Sequence, residues 1–261
     1  MELIVQLIFV MTLGLLLGSF ANAAIYRIPR EIPLGLTKNM RSQCPNCQAI
    51  IRWYDNIPLL SYLLLGGKCR SCTTKIPFRY FFVELVTAIL FGVVFFIYAE
   101  SMHRPHDHAG AYIGLFRDLY FMFTLVVIIF IDIDFRIIPD RFSIGNWVLA
   151  WVLVYWAPPP QLIDSLIGGV CGFMSFFLLA WGYEKLKGVE GLGFGDVKMM
   201  GWLGAWLGWR ALPPIVLVAS LTGLIAGLIA MKRSKDGMQT AIPFGPFLAL
   251  GAIVAWVLSK L

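Results

Sequence analysis

Two aspartates at the ends of apolar segments are the residues of this sequence most capable of chemistry. Asp132 closes the apolar run 119–131, and Asp196 stands between a glycine-rich stretch and the next apolar run. Ionisable side chains at the edge of a membrane segment are costly and usually have a function or a partner. Two carboxylates held together in poor solvent share a proton, so one accepts a proton from water while the other donates to an amide carbonyl. The pair therefore predicts metal-free peptide hydrolysis.

Residues close to the aspartates are candidates for supporting roles. Gly193 and Gly195 lack side chains and would let an extended peptide backbone approach Asp196 closely. Lys198 is placed to tune the two carboxylates electrostatically. Two more acids follow the apolar run, are expected to be more exposed, and are predicted to attract a basic segment of substrate: Asp134 and Asp140.

A purely structural interpretation of the same residues stays open at this point. Asp132 could pair with Arg136, and Asp196 could cap its helix or form a salt bridge with Lys198. A short Gly-x-Gly-Asp pattern is only a moderately specific motif, so spacing alone does not decide between the two interpretations.

Four cysteines form a second candidate site. Two CxxC motifs are separated by 21 residues, close to the spacing of a zinc ribbon, and consist of Cys44, Cys47, Cys69 and Cys72. Four thiolates complete a tetrahedron and leave no position for water, so we expect a structural Zn²⁺. The alternative is a pair of disulfides or free thiols, although a cytoplasmic location disfavours disulfides. The fifth cysteine, Cys171, is interpreted as a small buried side chain.

The elements that position these residues are predicted to be membrane helices. The chain is 59% hydrophobic and 14% charged, whereas soluble domains are about one quarter charged. A helix of about 20 apolar residues crosses the roughly 30 Å hydrocarbon core. We predict an all-α polytopic membrane protein with about eight spans, at 3–24, 81–98, 113–133, 142–157, 165–183, 197–210, 211–231 and 242–259.

The distribution of positive charge predicts the orientation of these spans. The net charge of +6 does not indicate nucleic acid, because the lysines and arginines cluster in alternate loops, as topology signals do. Segment 25–80 holds nine of them: Arg27, Arg30, Lys38, Arg41, Arg52, Lys68, Arg70, Lys75 and Arg79. The same side receives six more if eight helices alternate: Lys185, Lys187, Lys198, Lys232, Arg233 and Lys235. This side is predicted to be cytoplasmic.

Three regions follow from this pattern. Residues 1–24 form the first transmembrane helix, 25–80 a small cytoplasmic zinc-ribbon-like domain, and 81–261 a transmembrane peptidase domain. A segment of about 55 residues buries too little apolar surface to fold alone, so it needs a metal, the membrane or both.

Several motifs together resemble the bacterial type IV prepilin peptidases, also called leader peptidase and N-methyltransferase, a GxGD-type intramembrane aspartyl protease family. The resemblance covers nearly the whole chain. Besides both CxxC motifs and the two aspartate segments, the matching stretches are Gly18–Asn22, Ile25–Pro29, Asp55–Leu59, Gly67–Arg70, Arg79–Tyr80, Glu84–Leu85, Ile138–Asp140, Gly193–Lys198 and Pro243–Phe247.

The resemblance implies a function and its site residues. Asp132 and Asp196 match the family's essential aspartates, so they are expected to cut the basic leader from prepilins and pilin-like secretion subunits at the cytoplasmic face of the bacterial inner membrane. The new amino terminus would then be methylated with S-adenosylmethionine. Four residues are candidates for the methyltransferase site, with an alternative role as loop caps or polar anchors: Asp55, Asn56, Arg79 and Glu84.

Two other functions remain possible from the sequence. A small transporter also places acids and glycines in broken helices, but its acids belong near the midplane rather than at one boundary. The second alternative is a non-catalytic protein of pilus or secretion assembly, which would keep the fold without needing both aspartates.

Overall fold

The computed structural model describes residues 1–34, 42–102, 108–156, 159–189, 191–233 and 242–260. Three of the basic residues used above to predict orientation, Lys38, Arg41 and Lys235, lie outside these ranges. The chain divides into two compact units, residues 1–127 and 128–261, which are described separately. The division falls within a helix.

The regular secondary structure of the described residues is helical, with no β-strand beyond two isolated bridges. The helices are α1 (Glu2–Arg27), α2 (Leu60–Leu64), α3 (Arg79–Met102), α4 (His108–Phe135), α5 (Asp140–Trp156), α6 (Leu162–Lys187), α7 (Phe194–Leu207), α8 (Leu212–Arg233) and α9 (Gly245–Leu258). Short 3₁₀ turns occupy Ile28–Arg30, Trp53–Asn56 and Trp209–Ala211. The predicted all-α class is confirmed.

Membrane-spanning length distinguishes the helices from one another. Among the described residues, five helical segments are long and apolar enough to cross a membrane: Glu2–Arg30, Arg79–Ala99, Gly110–Phe135, Leu162–Lys187 and Trp209–Lys232. The prediction of about eight spans differs from this count. Helices α7 and α9 have 14 residues each, about 21 Å at 1.5 Å per residue, which is shorter than the hydrocarbon core.

In unit 1, helices α1 and α3 pack closely through small residues. A Cβ atom at Gly14 would lie 2.8 Å from Ala88 Cα, and one at Gly18 would lie 2.7 Å from Glu84 Cα. Close backbone approach of this kind is typical of helix pairs in membranes, where van der Waals contact drives association. The Asn22 side chain then donates a hydrogen bond to the Tyr80 carbonyl at 3.0 Å.

In unit 2, α7 is held by α5 and α6. Gly168 of α6 and Gly204 of α7 face each other so closely that neither position has room for a Cβ atom. The Trp147 ring of α5 fills the space beside Gly201 of α7 and Gly169 of α6. Helix α7 is buried along most of its length, so this packing fixes the position of its amino-terminal end.

Candidate functional site

Asp132 lies in the last turn of α4, and its side chain is buried. Only 5% of the residue is exposed. The helix ends at Phe135; the backbone N–H of the next residue, Arg136, donates to the Asp132 carbonyl at 2.8 Å, and its φ of 56° turns the chain out of the helix. The termination of α4 therefore leaves the Asp132 carboxylate at a helix end.

The hydrogen-bond partner of the Asp132 carboxylate comes from a distant part of the chain. The backbone N–H of Gly245, the first residue of α9, donates to Asp132 Oδ2 at 2.9 Å across 113 residues of sequence. A helix amino terminus carries unpaired N–H groups and a partial positive charge, both of which favour an anion. A Cβ atom at residue 245 would lie only 2.8 Å from this oxygen, so the close approach requires glycine.

Asp196 lies in the first turn of α7 and is also buried, with 8% of the residue exposed. Its backbone N–H donates to the Gly193 carbonyl at 3.0 Å. Within the described part of the chain, its Oδ1 atom has no hydrogen-bond partner. An unpaired buried carboxylate oxygen is costly, and such a group in a native structure usually has a function.

Ile138 connects the surroundings of the two aspartates. A Cβ atom at Gly195, next to Asp196, would lie 3.1 Å from Ile138 Cβ. One at Gly245, next to Asp132, would lie 3.3 Å from Ile138 Cδ1. The two carboxylates are close enough for Asp132 to act electrostatically on Asp196. The structure thus brings together two acids that lie on different helices.

The supporting residues occupy different positions around this pair. Gly193 is exposed, and a Cβ atom there would lie 3.3 Å from Asp196 Oδ2. Lys198 does not bind Asp196, because its Nζ atom donates to Asp140 Oδ1 at 2.6 Å. Asp140 is the first residue of α5, and Asp134 is exposed on α4. A salt bridge of Lys198 to Asp196, one structural alternative, is therefore not formed.

The four predicted zinc ligands converge in unit 1. The Sγ atoms of Cys44, Cys47, Cys69 and Cys72 all lie within 4.8 Å of one another. Cys44 and Cys72 are 3.8 Å apart, and Cys47 and Cys69 are 4.0 Å apart. A tetrahedral ion with Zn–S bonds of about 2.3 Å separates its sulfur ligands by about 3.8 Å, so these two pairs have the spacing that Zn²⁺ requires and the four thiols can converge on one ion.

The two CxxC motifs have the same backbone structure, repeated 25 residues later. In the first, Gln48 N–H donates to the Cys44 carbonyl and Cys44 N–H to the Ala49 carbonyl. The second repeats both bonds, from Thr73 to Cys69 and from Cys69 to Thr74. Gln48 and Thr73 also share a positive φ, 58° and 57°. Each motif is thus a small loop that points two thiols at the same point.

The electrostatics of the cluster favour a bound cation. Hydrogen bonds from Thr74 lower the pKa of Cys72 to about 6, which favours the thiolate that ligates metals. The Ala49 N–H donates to Cys47, but the neighbouring Cys72 thiol raises the pKa of Cys47 to about 11. A metal ion that neutralises their charge would therefore favour several thiolates side by side.

Of the four candidates for the methyltransferase site, Asp55 and Glu84 make polar contacts within the protein. Asp55 accepts a bidentate ion pair from Arg70, 2.6 Å at the shortest contact, which lowers the pKa of its carboxyl. Glu84 is buried and accepts a hydrogen bond from Leu59 N–H at 2.8 Å. Asn56 is exposed, and the Arg79 guanidinium lies over the ring of the next residue. The contacts of Asp55 and Glu84 match the alternative role as polar anchors.

Comparison with known proteins identifies the family. Residues 12–98 match the "Bacterial Peptidase A24 N-terminal domain" and residues 119–228 match the "Type IV leader peptidase family". The chain is 33% identical to a "Prepilin leader peptidase/N-methyltransferase" of Burkholderia pseudomallei (94% of this chain, 83% of the relative) and 36% identical to one of Pseudomonas aeruginosa (93% and 87%). It belongs to the type IV leader peptidase family. A third such relative, of Pectobacterium carotovorum, is 32% identical over 95% and 91% of the two chains.

Membership of the leader peptidase family decides between the functions left open by the sequence. It favours an enzyme over a transporter or a non-catalytic assembly protein. With its apolar helices, it also makes the chain a multi-pass protein of the bacterial inner membrane. No solved structure matches the chain.

The sequence did not indicate two residues beside the aspartates, Gly245 and Ile138, and the burial predicted for Cys171 was wrong. Gly245 and Ile138 lie in stretches that carried the resemblance to leader peptidases, but nothing in their spacing indicated contact with the aspartates. A glycine flanked by two prolyl-phenylalanyl pairs, Pro243 to Phe247, was the available signal. Cys171 was predicted to be buried, but it is exposed on α6.

Proposed function

We propose that this chain removes the leader peptide from prepilins and pilin-like secretion subunits and methylates the new amino terminus. The proposal is carried by the convergence of Asp132 and Asp196 at two helix ends, beside glycines that leave room for a peptide. The names of the relatives supply the substrate and the second activity.

The surroundings of the two carboxylates assign a role to each. Asp132 accepts a hydrogen bond from the amino terminus of α9, an arrangement that stabilises an ionised carboxylate. Asp196 Oδ1 is buried without a partner among the described residues, so a protonated Asp196 has a free position from which to donate. Asp132 is therefore the general base and Asp196 the general acid.

Peptide hydrolysis then follows without a covalent intermediate. Asp132 takes a proton from water as the water oxygen attacks the scissile carbonyl carbon, and Asp196 gives its proton to the carbonyl oxygen. The resulting diol collapses as Asp196 takes a proton back. The C–N bond breaks, and the leaving amine receives the proton held by Asp132. Both carboxyl groups return to their starting states, so the cycle balances.

Gly193 and Gly195 provide the space on one side of Asp196 for an extended substrate backbone. Gly193 is exposed while Asp196 is buried, so a peptide laid over the glycine places its carbonyl near the carboxyl group. The charge distribution of the loops favours the cytoplasmic side for this site. A basic leader would there meet Asp134 and Asp140, the second already paired with Lys198.

Two cofactors belong to the proposal. Zn²⁺ held by Cys44, Cys47, Cys69 and Cys72 would cross-link the two loops and stabilise the small domain, and takes no part in hydrolysis. S-adenosylmethionine supplies an electrophilic methyl group when bound. The observed contacts of Asp55 and Glu84 are made within the protein, so we assign no residue to the methyl donor.

Mass spectrometry of a purified prepilin incubated with the purified protein and S-adenosylmethionine tests both activities. We expect loss of the leader and gain of one methyl group. Replacement Asp196→Asn should abolish leader removal, whereas methylation of a precut pilin should persist if the activities are separable. Undiminished cleavage by this variant would refute the assigned mechanism.

One charge-reversal variant, assayed on two leaders of different charge, tests the steering of the leader. Reversal of both Asp134 and Asp140 to lysine should weaken processing of a basic leader and raise KM more than it lowers kcat. The same variant should process a leader of reduced charge at nearly the parental rate. Equal rates for the parent and the reversed variant on the basic leader would rule out steering.

A further inference from the structure

The short helix α2 of the small domain exposes large apolar side chains in a row. Leu60, Leu63 and Leu64 are 50%, 64% and 77% exposed. Their spacing of three and four residues places them on one side of the helix; this side is called the leucine face. Leucine side chains left in water on a small domain are unfavourable, and contiguous apolar surface of this kind usually marks an interaction site.

The other side of α2 is fixed to the beginning of α3. The Tyr62 ring lies 5.5 Å from the Phe81 ring and 6.3 Å from the Phe78 ring. Leu59, which immediately precedes α2, donates its backbone N–H to the buried Glu84 carboxylate at 2.8 Å. Helix α2 is therefore held against α3 by aromatic contacts and by a hydrogen bond to a carboxylate.

These contacts determine the depth of α2 relative to the lipid bilayer. The membrane-spanning segment of α3 begins at Arg79. Glu84 is five residues further, about 7.5 Å along the helix axis at 1.5 Å per residue. A segment bonded to Glu84 thus lies beside the first turns of a membrane-spanning helix, at the depth of the headgroups and upper acyl chains.

The net positive charge of the segment that contains α2 also favours a position at the membrane surface. Segment 25–80 contains nine lysines and arginines but only two acids, Glu31 and Asp55. The Asp55 carboxylate is neutralised by Arg70, which leaves the segment strongly positive. An apolar face combined with surrounding positive charge is typical of elements that lie in the interface of an anionic membrane.

We propose that the leucine face of α2 is immersed in the adjacent lipid leaflet, so that the zinc-binding domain rests on the membrane surface. The occupant of this face is lipid, the apolar upper part of the acyl chains, with anionic headgroups around it. This anchoring is independent of the peptidase reaction, and it limits the domain to a fixed height over the bilayer.

Depth-dependent quenching tests the proposal on the full-length, zinc-loaded protein. Cys171→Ser leaves the four zinc-binding cysteines, and Leu63→Cys or Leu64→Cys adds one labelling site for an environment-sensitive fluorophore. Lys75→Cys, at an exposed position of the same domain, is the matched control. The variants are placed in nanodiscs of phosphatidylcholine with a minority of phosphatidylglycerol, where both membrane faces are open to solutes. The Cys171→Ser protein without an added cysteine gives the background labelling.

The expected result is a clear separation of the two sites. The label at residue 63 or 64 should be quenched several times more strongly by a lipid with a nitroxide near the headgroup than the label at residue 75, and much less by aqueous iodide. Equal iodide quenching at residues 63 and 75, without nitroxide quenching, would overturn the proposal. Protection from iodide that arises only when prepilin is added would assign the leucine face to the substrate and would also overturn it.

Discussion

Replacement of Gly245 by alanine tests the contact between α9 and Asp132, one of the two proposed catalytic residues. The added Cβ atom would lie 2.8 Å from Asp132 Oδ2 and 3.3 Å from Ile138 Cδ1. Such an approach to an oxygen is too close, so either the carboxylate or the start of α9 must move. The hydrogen bond from the residue 245 N–H, 2.9 Å long, is then lengthened or lost.

The size of the effect follows from the kind of bond involved. A hydrogen bond to a charged group contributes about 1.5–3 kcal/mol, and each 1.36 kcal/mol of barrier corresponds to about a tenfold rate change. Because the bond holds the Asp132 carboxylate in position for the attacking water, its loss should lower kcat for leader removal by about 10- to 150-fold, with a smaller change in KM.

The assay compares Gly245→Ala with Gly182→Ala. A Cβ atom at Gly182 of α6 meets nothing within 4 Å, so this substitution makes the same chemical change without a steric conflict. Initial rates of cleavage of purified prepilin give kcat and KM for both, and zinc content and thermal unfolding report folding. A Gly245→Ala protein with parental kcat would refute the proposed contact, and equal losses in both variants would show a non-specific effect.

Two further predictions concern the metal site and the helix packing. Cys72→Ser should lose about one equivalent of zinc by elemental analysis, because three ligands hold the ion less tightly than four. The variant should also lose more methylation than cleavage. Full retention of zinc would contradict the assignment of the four cysteines as ligands. Gly204→Leu should lower both the thermal unfolding temperature and the rate of leader cleavage. The new side chain meets the Gly168 backbone, and such overpacking costs about 1–3 kcal/mol of stability. Unchanged stability would show that α6 and α7 separate without cost.

The features that could be predicted from the sequence were local ones. Apolar runs indicated the helices because helix formation in a membrane depends on composition over about 20 residues. The cysteines were predicted to meet because each CxxC motif already directs two thiols to one point, and the structure brings the four together. The aspartates were chosen as candidates because charged side chains at the ends of apolar runs are rare.

The features that could not be predicted depend on contacts between distant segments. The hydrogen bond from Gly245 to Asp132 crosses 113 residues, and no local pattern specifies it. The partner of Lys198 could not be chosen either, since Asp140 and Asp196 were both plausible and only the packing of α5 against α7 brings Asp140 within 2.6 Å. The predicted span 242–259 was longer than α9, whereas the predicted span 197–210 had the 14-residue length of α7 but was placed three residues too late.

The central claim is that Asp132 and Asp196 act as one catalytic unit, and the direct measurement is kcat for leader removal by Asp132→Asn, Asp196→Asn and the double variant. Residues that act together are strongly non-additive. Each single variant is expected to fall to the same residual rate as the double variant, within about threefold. A single variant that keeps substantial activity, or losses that multiply in the double variant, would contradict the account.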